Sequence, residues 1–283
     1  MQQNEKIIDG RAVAKQIRLK LKEKITALGG RRPGLAFILI GNDEASKAYV
    51  RMKKKGCEEV GILSHVLTLS AKISESELLA EIDHLNTAKE IDGILVQQPL
   101  PQHINTEKIV EAIDPKKDVD GFHPINMGKL LLGHTDGIVP CTPLGIIKLL
   151  RAYKVPTDGK EVVIVGRSNI VGKPLAALLC QKQPWANSTV TLAHSHTKNL
   201  AQVTARADIL ITALGSPGAI TANMVKTGAV VIDVGMNRTP DALTGDVVFD
   251  EVLPIASLIT PVPGGVGPMT IAMLLANTLK AYR

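Results

Sequence analysis

Residues 162–174 read VVIVGRSNIVGKP, and this stretch decides the fold. The first four are apolar, enough for a strand buried on both faces of a parallel sheet. Gly166 breaks the run, and Arg167, Ser168 and Asn169 follow as small or polar turn residues. Gly172 and Pro174 open an apolar-periodic segment, residues 175–180, that predicts a helix. Strand, glycine turn and helix start together present backbone N–H groups to a phosphate. The spacing departs from G-x-G-x-x-G: Gly166 and Gly172 stand six apart, with Ser168 where a second glycine would fall. On this loop alone, an ordinary βα turn competes evenly with a phosphate cradle.

The alternation continues on both sides. Downstream, strands are expected at 161–165, 190–193, 209–213, 230–234 and 258–259, with helices at 175–181, 200–205 and 222–225. That pattern is a short, doubly wound, Rossmann-like sheet. Upstream, Asp9 opens a helix reaching about Leu28, with Val13, Ile17, Leu21, Ile25 and Leu28 on one face. Strands follow at 35–40, 65–69 and 93–97. Helices fall at 45–60, stopped by Gly61, at 75–85, capped by Ser74, and at 106–112. Residues 114–136 are rich in Asp, Gly, Pro and His and show little periodicity, which marks a functional loop. A helix at 144–153 places a domain junction, and a last helix spans 270–282.

Composition narrows the function. A chain of 283 residues implies two domains or one large one. Aromatics are only 2%, so the core is aliphatic and base stacking is no part of its work. The net charge of +6 suits a small anionic ligand as well as it suits nucleic acid. Cys57, Cys141 and Cys180 are odd in number and form no C-x-x-C, which points to a reducing cytoplasm. The polar N-terminus is no signal peptide, and no apolar run has the length to span a bilayer.

Several residues carry chemistry. An acid at the end of the second strand normally binds the ribose 2′-OH, but residues 192–198 read LAHSHTK without a carboxylate. Ser195, Arg167 and the histidines favour a 2′-phosphate, hence NADP. For His196 a plain surface role is the better reading. Tyr49 and Lys53 are four apart and share a helix face, although residues 53–55 also read as a solvated lysine run. Gln97 ends a strand before a proline break, where α/β proteins bind ligands. Asp118 and Asp120 stand in KDVDGFHP, where either also serves as a turn residue. Residues 260–270, TPVPGGVGPMT, mix stiff and permissive residues, as backbone held close to a ligand requires. The seven histidines show no metal-ligand spacing, and there is no G-x-S-x-G elbow.

Six motifs in order resemble the bifunctional methylenetetrahydrofolate dehydrogenase/methenyltetrahydrofolate cyclohydrolase family of the bacterial FolD type. They are YVRMK from Tyr49, GILVQQPLP from Gly93, KDVDGFHPINMGKL from Lys117, PCTPLGI from Pro140, VGRSNIVGKP from Val165 and PGGVGPMT from Pro263. The resemblance implies an α/β folate domain, residues 1–140 with 268–283, and a Rossmann-like NADP domain, residues 141–267. The C-terminal helix returns to the first domain. It implies oxidation of 5,10-methylenetetrahydrofolate by NADP, then hydrolysis to 10-formyltetrahydrofolate. Lys53 is then the key catalytic group, Tyr49 orients substrate and lysine, Gln97 tunes the lysine, and Asp120 binds the pterin. Gly166, Arg167, Ser168, Ser195, Ile232 and Thr142 meet the cofactor, and Pro263, Gly264 and Gly265 approach the folate. A homodimer through the NADP domain is implied as well. Two other readings compete: an NADP dehydrogenase acting on a small polar acid, and a non-catalytic nucleotide-binding module. The first wants cations placed for a carboxylate, and the second leaves Tyr49, Lys53, Gln97 and Asp120 unexplained as a set.

Overall fold

The computed structural model describes residues 3–239 and 242–282. The chain divides into two compact units: Lys15–Cys141 with Ile271–Arg283, and Met1–Ala14 with Thr142–Thr270.

In the first unit the chain runs from helix α1 (Gly10–Thr26), which belongs to it from Lys15 onward, to strand β1 (Gly34–Ile40), whose seven residues are all buried. β1 lies between β2 (Leu63–Leu69) and β3 (Gly93–Val96), parallel to both. Its unbroken apolar run, GLAFILI, is what a strand covered on both faces requires. Helix α2 (Glu44–Val60) starts where the Asp43 carboxylate accepts from the Ser46 N–H. It stops at Gly61, left-handed at φ 90°, whose N–H reaches the Cys57 carbonyl. Helix α3 (Glu75–Thr87) carries a full capping box between Ser74 and Glu77. Ile38, Ile40 and Ile94 of the sheet pack on Leu78, Ile82 and Leu85 of α3 and Ile109 of α4 (Thr106–Ala112). Each such buried aliphatic stabilises the unit by about 1.5–3 kcal/mol.

The segment 114–136, expected to be irregular throughout, contains helix α5 (Pro124–Leu131). His123 caps it, its Nδ1 accepting from the Ile125 N–H at 3.1 Å, and Pro124 fills the first turn, where no N–H is needed. With eight residues and Gly128 inside, α5 shows too few turns to announce itself as periodic. Helix α6 (Cys141–Ala152) follows.

The second unit carries β4 (Glu161–Val165), helix α7 (Gly172–Leu179), β5 (Thr189–Ala193), helix α8 (Leu200–Thr204), β6 (Ile209–Thr212) and β7 (Val230–Asp233). A two-stranded hairpin, β8 (Asn237–Arg238) with β9 (Leu243–Thr244), short helix α9 (Phe249–Val252) and β10 (Leu258–Ile259) complete it. The main sheet is parallel, in the order β10-β7-β6-β4-β5. From β4 the chain moves one way to β5, then crosses back to β6. The strand order therefore reverses between β4 and β6, and open α/β sheets bind ligands beyond the carboxyl ends at that point. The helix expected at 222–225 is a single 3-10 turn, Ala222–Met224.

Residues up to Ala14 group with this second sheet. Ile7 bridges Ile259 in parallel, the Ile8 N–H donates to the Ile259 carbonyl at 2.8 Å, and the Arg11 N–H to Gly264 at 3.1 Å. Such long-range edge pairing leaves no local pattern to read. Helix α10 (Val266–Ala281) starts four residues before its expected beginning, with Pro268 in a first turn that tolerates proline. In the first unit it lies against α2 at Gly56, where an added Cβ would stand 3.1 Å from Ile271 Cγ2. No helix among the described residues is long and apolar enough to cross a membrane.

Candidate active site

In the first unit, α2 and the end of β3 bring two predicted residues together. Lys53 Nζ donates to Gln97 Oε1 at 3.0 Å. Gln97 sits one residue past β3; its N–H donates to Ile38 O at 2.9 Å, and its Nε2 to Gln98 O at 2.7 Å. The amide is thereby held with its oxygen toward the ammonium. Lys53 is half-buried, whereas Lys54 and Lys55 on the same helix are exposed. Tyr49, one turn earlier on the face of Lys53, is also half-buried.

Asp120 joins this pair. Burial pushes its carboxyl up to about 6, against the downward pull of the Lys53 charge and with a further push from Asp118. By area the side chain is half-buried, so it keeps a face toward solvent within protein walls. A cavity of about 20 Å³ lies beside it, lined by Ile94, Val96, Ile109 and Phe122 among others, room for one water.

The loop that carries Asp120 is built by Asp118, for which the sequence left a turn role open beside a chemical one. Asp118 Oδ1 accepts from the N–H groups of Gly121 and Phe122 at 3.0 and 3.3 Å. Its Oδ2 accepts from the His123 N–H at 2.8 Å and Asn126 Nδ2 at 2.9 Å. Gly121, at φ 76°, could not carry a side chain: a Cβ would stand 2.6 Å from Pro140 N. From α10, Asn277 Nδ2 donates to the carbonyls of Val119 and Val139 at 2.9 Å each. The buried Cys141 thiol donates to Val119 O at 3.4 Å, and burial raises its pKa well above the ordinary thiol value. Spacing alone gave no sign of Asn277, which lies 157 positions beyond Asp120.

In the second unit, Gly166 and Gly172 form a cradle that side chains would fill. A Cβ on Gly166, at φ 129°, would stand 2.3 Å from Ala213 O, and one on Gly172 would stand 1.9 Å from Gly166 O. Ser168 partly holds its own turn, its Oγ accepting from the Val171 N–H at 3.2 Å. Arg167 and Ser168 are exposed, as is Ser195 in the turn after β5. That turn is tied by the His194 N–H to Thr197 Oγ1 at 2.9 Å and the Thr197 N–H to His194 O at 2.8 Å. The His194 pKa is lowered, first by desolvation and then by the charges of Arg167 and His196, so the two turns bring positive charge to one place. A glycine-walled turn beside cationic groups fits a phosphorylated dinucleotide.

Ile232 is fully buried in β7, so only its main chain is available to a ligand. Thr142 Oγ1 lies 3.2 Å from Thr270 Oγ1. Pro263 is exposed; Gly264, at φ 120°, and Gly265 are buried, and a Cβ on Gly265 would stand 2.6 Å from Thr260 Cβ. Among the described residues no group of three His, Cys, Asp or Glu is placed to hold a metal ion.

A parallel sheet with a glycine cradle at its switch point, and a lysine–amide–carboxyl set on a separate α/β unit, define a dinucleotide-dependent enzyme that also moves protons. The chain belongs to the tetrahydrofolate dehydrogenase/cyclohydrolase family: that family's catalytic-domain model matches residues 8–120, and its NAD(P)-binding-domain model matches residues 140–283. It is 52% identical to the bifunctional protein FolD of Protochlamydia amoebophila, over 98% of this chain and 97% of that protein. Among solved structures, the bifunctional FolD of Campylobacter jejuni superposes with a TM-score of 0.95 at 50% identity, over 98% of each chain. The Trypanosoma brucei dehydrogenase-cyclohydrolase, solved with NADP cofactor and inhibitor, gives 0.91 at 40% identity, over 98% of this chain and 96% of that one.

Proposed function

We infer that this chain oxidises 5,10-methylenetetrahydrofolate to 5,10-methenyltetrahydrofolate with NADP and hydrolyses that product to 10-formyltetrahydrofolate. The observation that carries the reading is the 3.0 Å bond from Lys53 Nζ to Gln97 Oε1, beside the raised carboxyl of Asp120. NADP, when bound, supplies the hydride acceptor. Gly166, Arg167, Ser168 and Ser195 hold its phosphates and ribose, with Thr142 and the main chain of Ile232 against the rest.

Asp120 binds the pterin edge. A carboxyl titrating near 6 accepts a hydrogen bond when ionised and donates one when protonated. Tyr49 orients the folate. In the hydrolytic step a water oxygen bonds to the bridging carbon as that carbon's bond to N5 breaks. The water gives up both protons: one leaves to solvent with the positive charge of the methenyl group, and the other goes to N5. Lys53 Nζ relays that second proton. Gln97 Oε1 fixes the direction of one Nζ–H, which leaves the other positions on that nitrogen for water and substrate.

A reducing cytoplasm and a homodimer through the dinucleotide-binding unit belong to the same proposal; neither nucleic acid nor a membrane is a partner. The thiols of Cys57, Cys141 and Cys180 are free, which supports the compartment. Edge strand β5 leaves Val190 and Leu192 half-buried, which supports a second copy beside it; light scattering checks this. The protein mixed with methylenetetrahydrofolate and NADP should form NADPH and 10-formyltetrahydrofolate together. NADPH without the formyl product would remove the hydrolytic activity, and neither product would remove the whole reading.

A further inference from the structure

The second unit contains two buried carboxylates to which the reaction above assigns nothing. Asp246 is 0% exposed and Asp233 3%. Asp246 Oδ2 accepts from the N–H groups of Leu214 and Gly215 at 2.7 and 3.3 Å. Its Oδ1 accepts from the Ser216 N–H at 2.9 Å and Asn237 Nδ2 at 3.0 Å. Asp233 Oδ1 accepts from the N–H groups of Gly235 and Asp246 at 2.9 and 3.0 Å and from Thr212 Oγ1 at 3.2 Å; its Oδ2 accepts from the Val247 N–H at 2.9 Å. The Asp233 N–H in turn donates to Thr260 Oγ1 at 2.7 Å. Among the described residues no Lys, Arg or His makes an ion pair with either carboxylate.

Two buried charges held only by dipoles are costly to place, and a fold keeps them where backbone must be fixed. The backbone fixed here has a definite position. Leu214, Gly215 and Ser216 form the loop after β6, and Ala213 just before them donates its N–H to Val165 O at 2.8 Å. Ala213 is also the residue against which the Gly166 turn rests. The loop therefore stands at the strand-order reversal, facing the turn after β4. Glycines admit the carboxylates: a Cβ on Gly235 would lie 2.5 Å from Asp246 N, and one on Gly245 would lie 1.9 Å from Asp233 Oδ2. The whole cluster lies in one unit, and Lys53, Gln97 and Asp120 lie in the other.

We propose that Asp246 is a positioning residue for the dehydrogenase reaction: it holds the Leu214–Ser216 backbone in the shape that receives the dinucleotide, with Asp233 holding Asp246 in place. The carboxylate acts through three backbone N–H groups and Asn237, not by touching the reacting atoms. The inference rests on the functional reading above, and the bifunctional enzyme supplies its own control.

The test compares Asp246→Ala and the isosteric Asp246→Asn with the parent in both reactions, after thermal unfolding has established that each variant is folded. Asn keeps one acceptor oxygen and turns an NH2 toward N–H donors, so it should act in the same direction but less strongly. The expected result is a KM for NADP raised at least tenfold in the Ala variant, about threefold or more in the Asn variant, with hydrolysis of methenyltetrahydrofolate within twofold of the parent. Should the Ala variant fail to fold, the Asn variant decides. An unchanged KM for NADP in a folded variant overturns the proposal. Equal losses in both reactions overturn it too, because they signify a general loosening. A parent with no NADP-linked activity would instead refute the underlying functional reading.

Discussion

Replacing Asp120 with Asn should make the protein more stable and less active at once. The carboxyl rises from 3.8 to about 6 on folding, chiefly through burial. Ionised at neutral pH, a group shifted by that much costs the folded state about 3 kcal/mol. Part of the side chain still meets water, which screens the charge and leaves about 1–2 kcal/mol. The sign follows from proton binding: the folded state holds the proton more tightly, so stability is lost as pH rises from about 4 to about 6 and stays low above that. Asn mimics the protonated acid at every pH. At about pH 8 the Asp120→Asn unfolding temperature should exceed the parent's by about 2–8 °C, and near pH 4 the two should agree. Calorimetric scans at both pH values read the difference, and assays on the same samples should show the loss of folate turnover. A variant less stable than the parent at the higher pH, or one with the same advantage at both, would show that burial does not hold the Asp120 carboxyl above its ordinary range.

Four further outcomes rest on the same geometry. Gln97→Leu leaves the Lys53 ammonium without its acceptor, and loss of that charge-assisted bond should slow hydrolysis by about 10–100-fold, read as kcat on methenyltetrahydrofolate. Asp118→Ala orphans the N–H groups of Phe122 and His123 and one hydrogen of the Asn126 amide, and should lower stability by about 3–5 kcal/mol in urea titrations. Arg167→Gln should raise KM for NADP about tenfold or more while changing KM for NAD little, because only the first carries the extra phosphate. In the parent, His194 gains its charge only below its ordinary range, so KM for NADP should fall as pH drops below about 6.5, and His194→Ala should flatten that profile.

The parallel strands were legible because strands covered on both faces need continuous apolar runs, and GLAFILI and VVIV are such runs. Glycine and cap residues were legible for the same local reason: Gly61 and Ser74 end and begin helices within their own neighbourhoods. Helix α5 was hidden by its length and by a histidine doing the work of a more common cap. Lys53 and Tyr49 declared themselves by helical spacing, whereas Asp118 and Asp120 differ by two positions in one motif and only the hydrogen bonds separate the loop builder from the poised acid. Asp246, Asn277 and the chain up to Ala14 act through partners many residues away, and no window along the sequence contains both halves of such a contact.

One substitution tests whether Lys53 moves the proton in hydrolysis while being dispensable for holding the dinucleotide. Lys53→Met keeps an unbranched stem reaching as far as Cε and removes the nitrogen beyond it. With the methenyl compound and NADPH followed in one reaction, this variant should bind NADP as the parent does but hydrolyse methenyltetrahydrofolate slower by about 10²–10⁴-fold. Hydrolysis at the parent rate would contradict that role for Lys53.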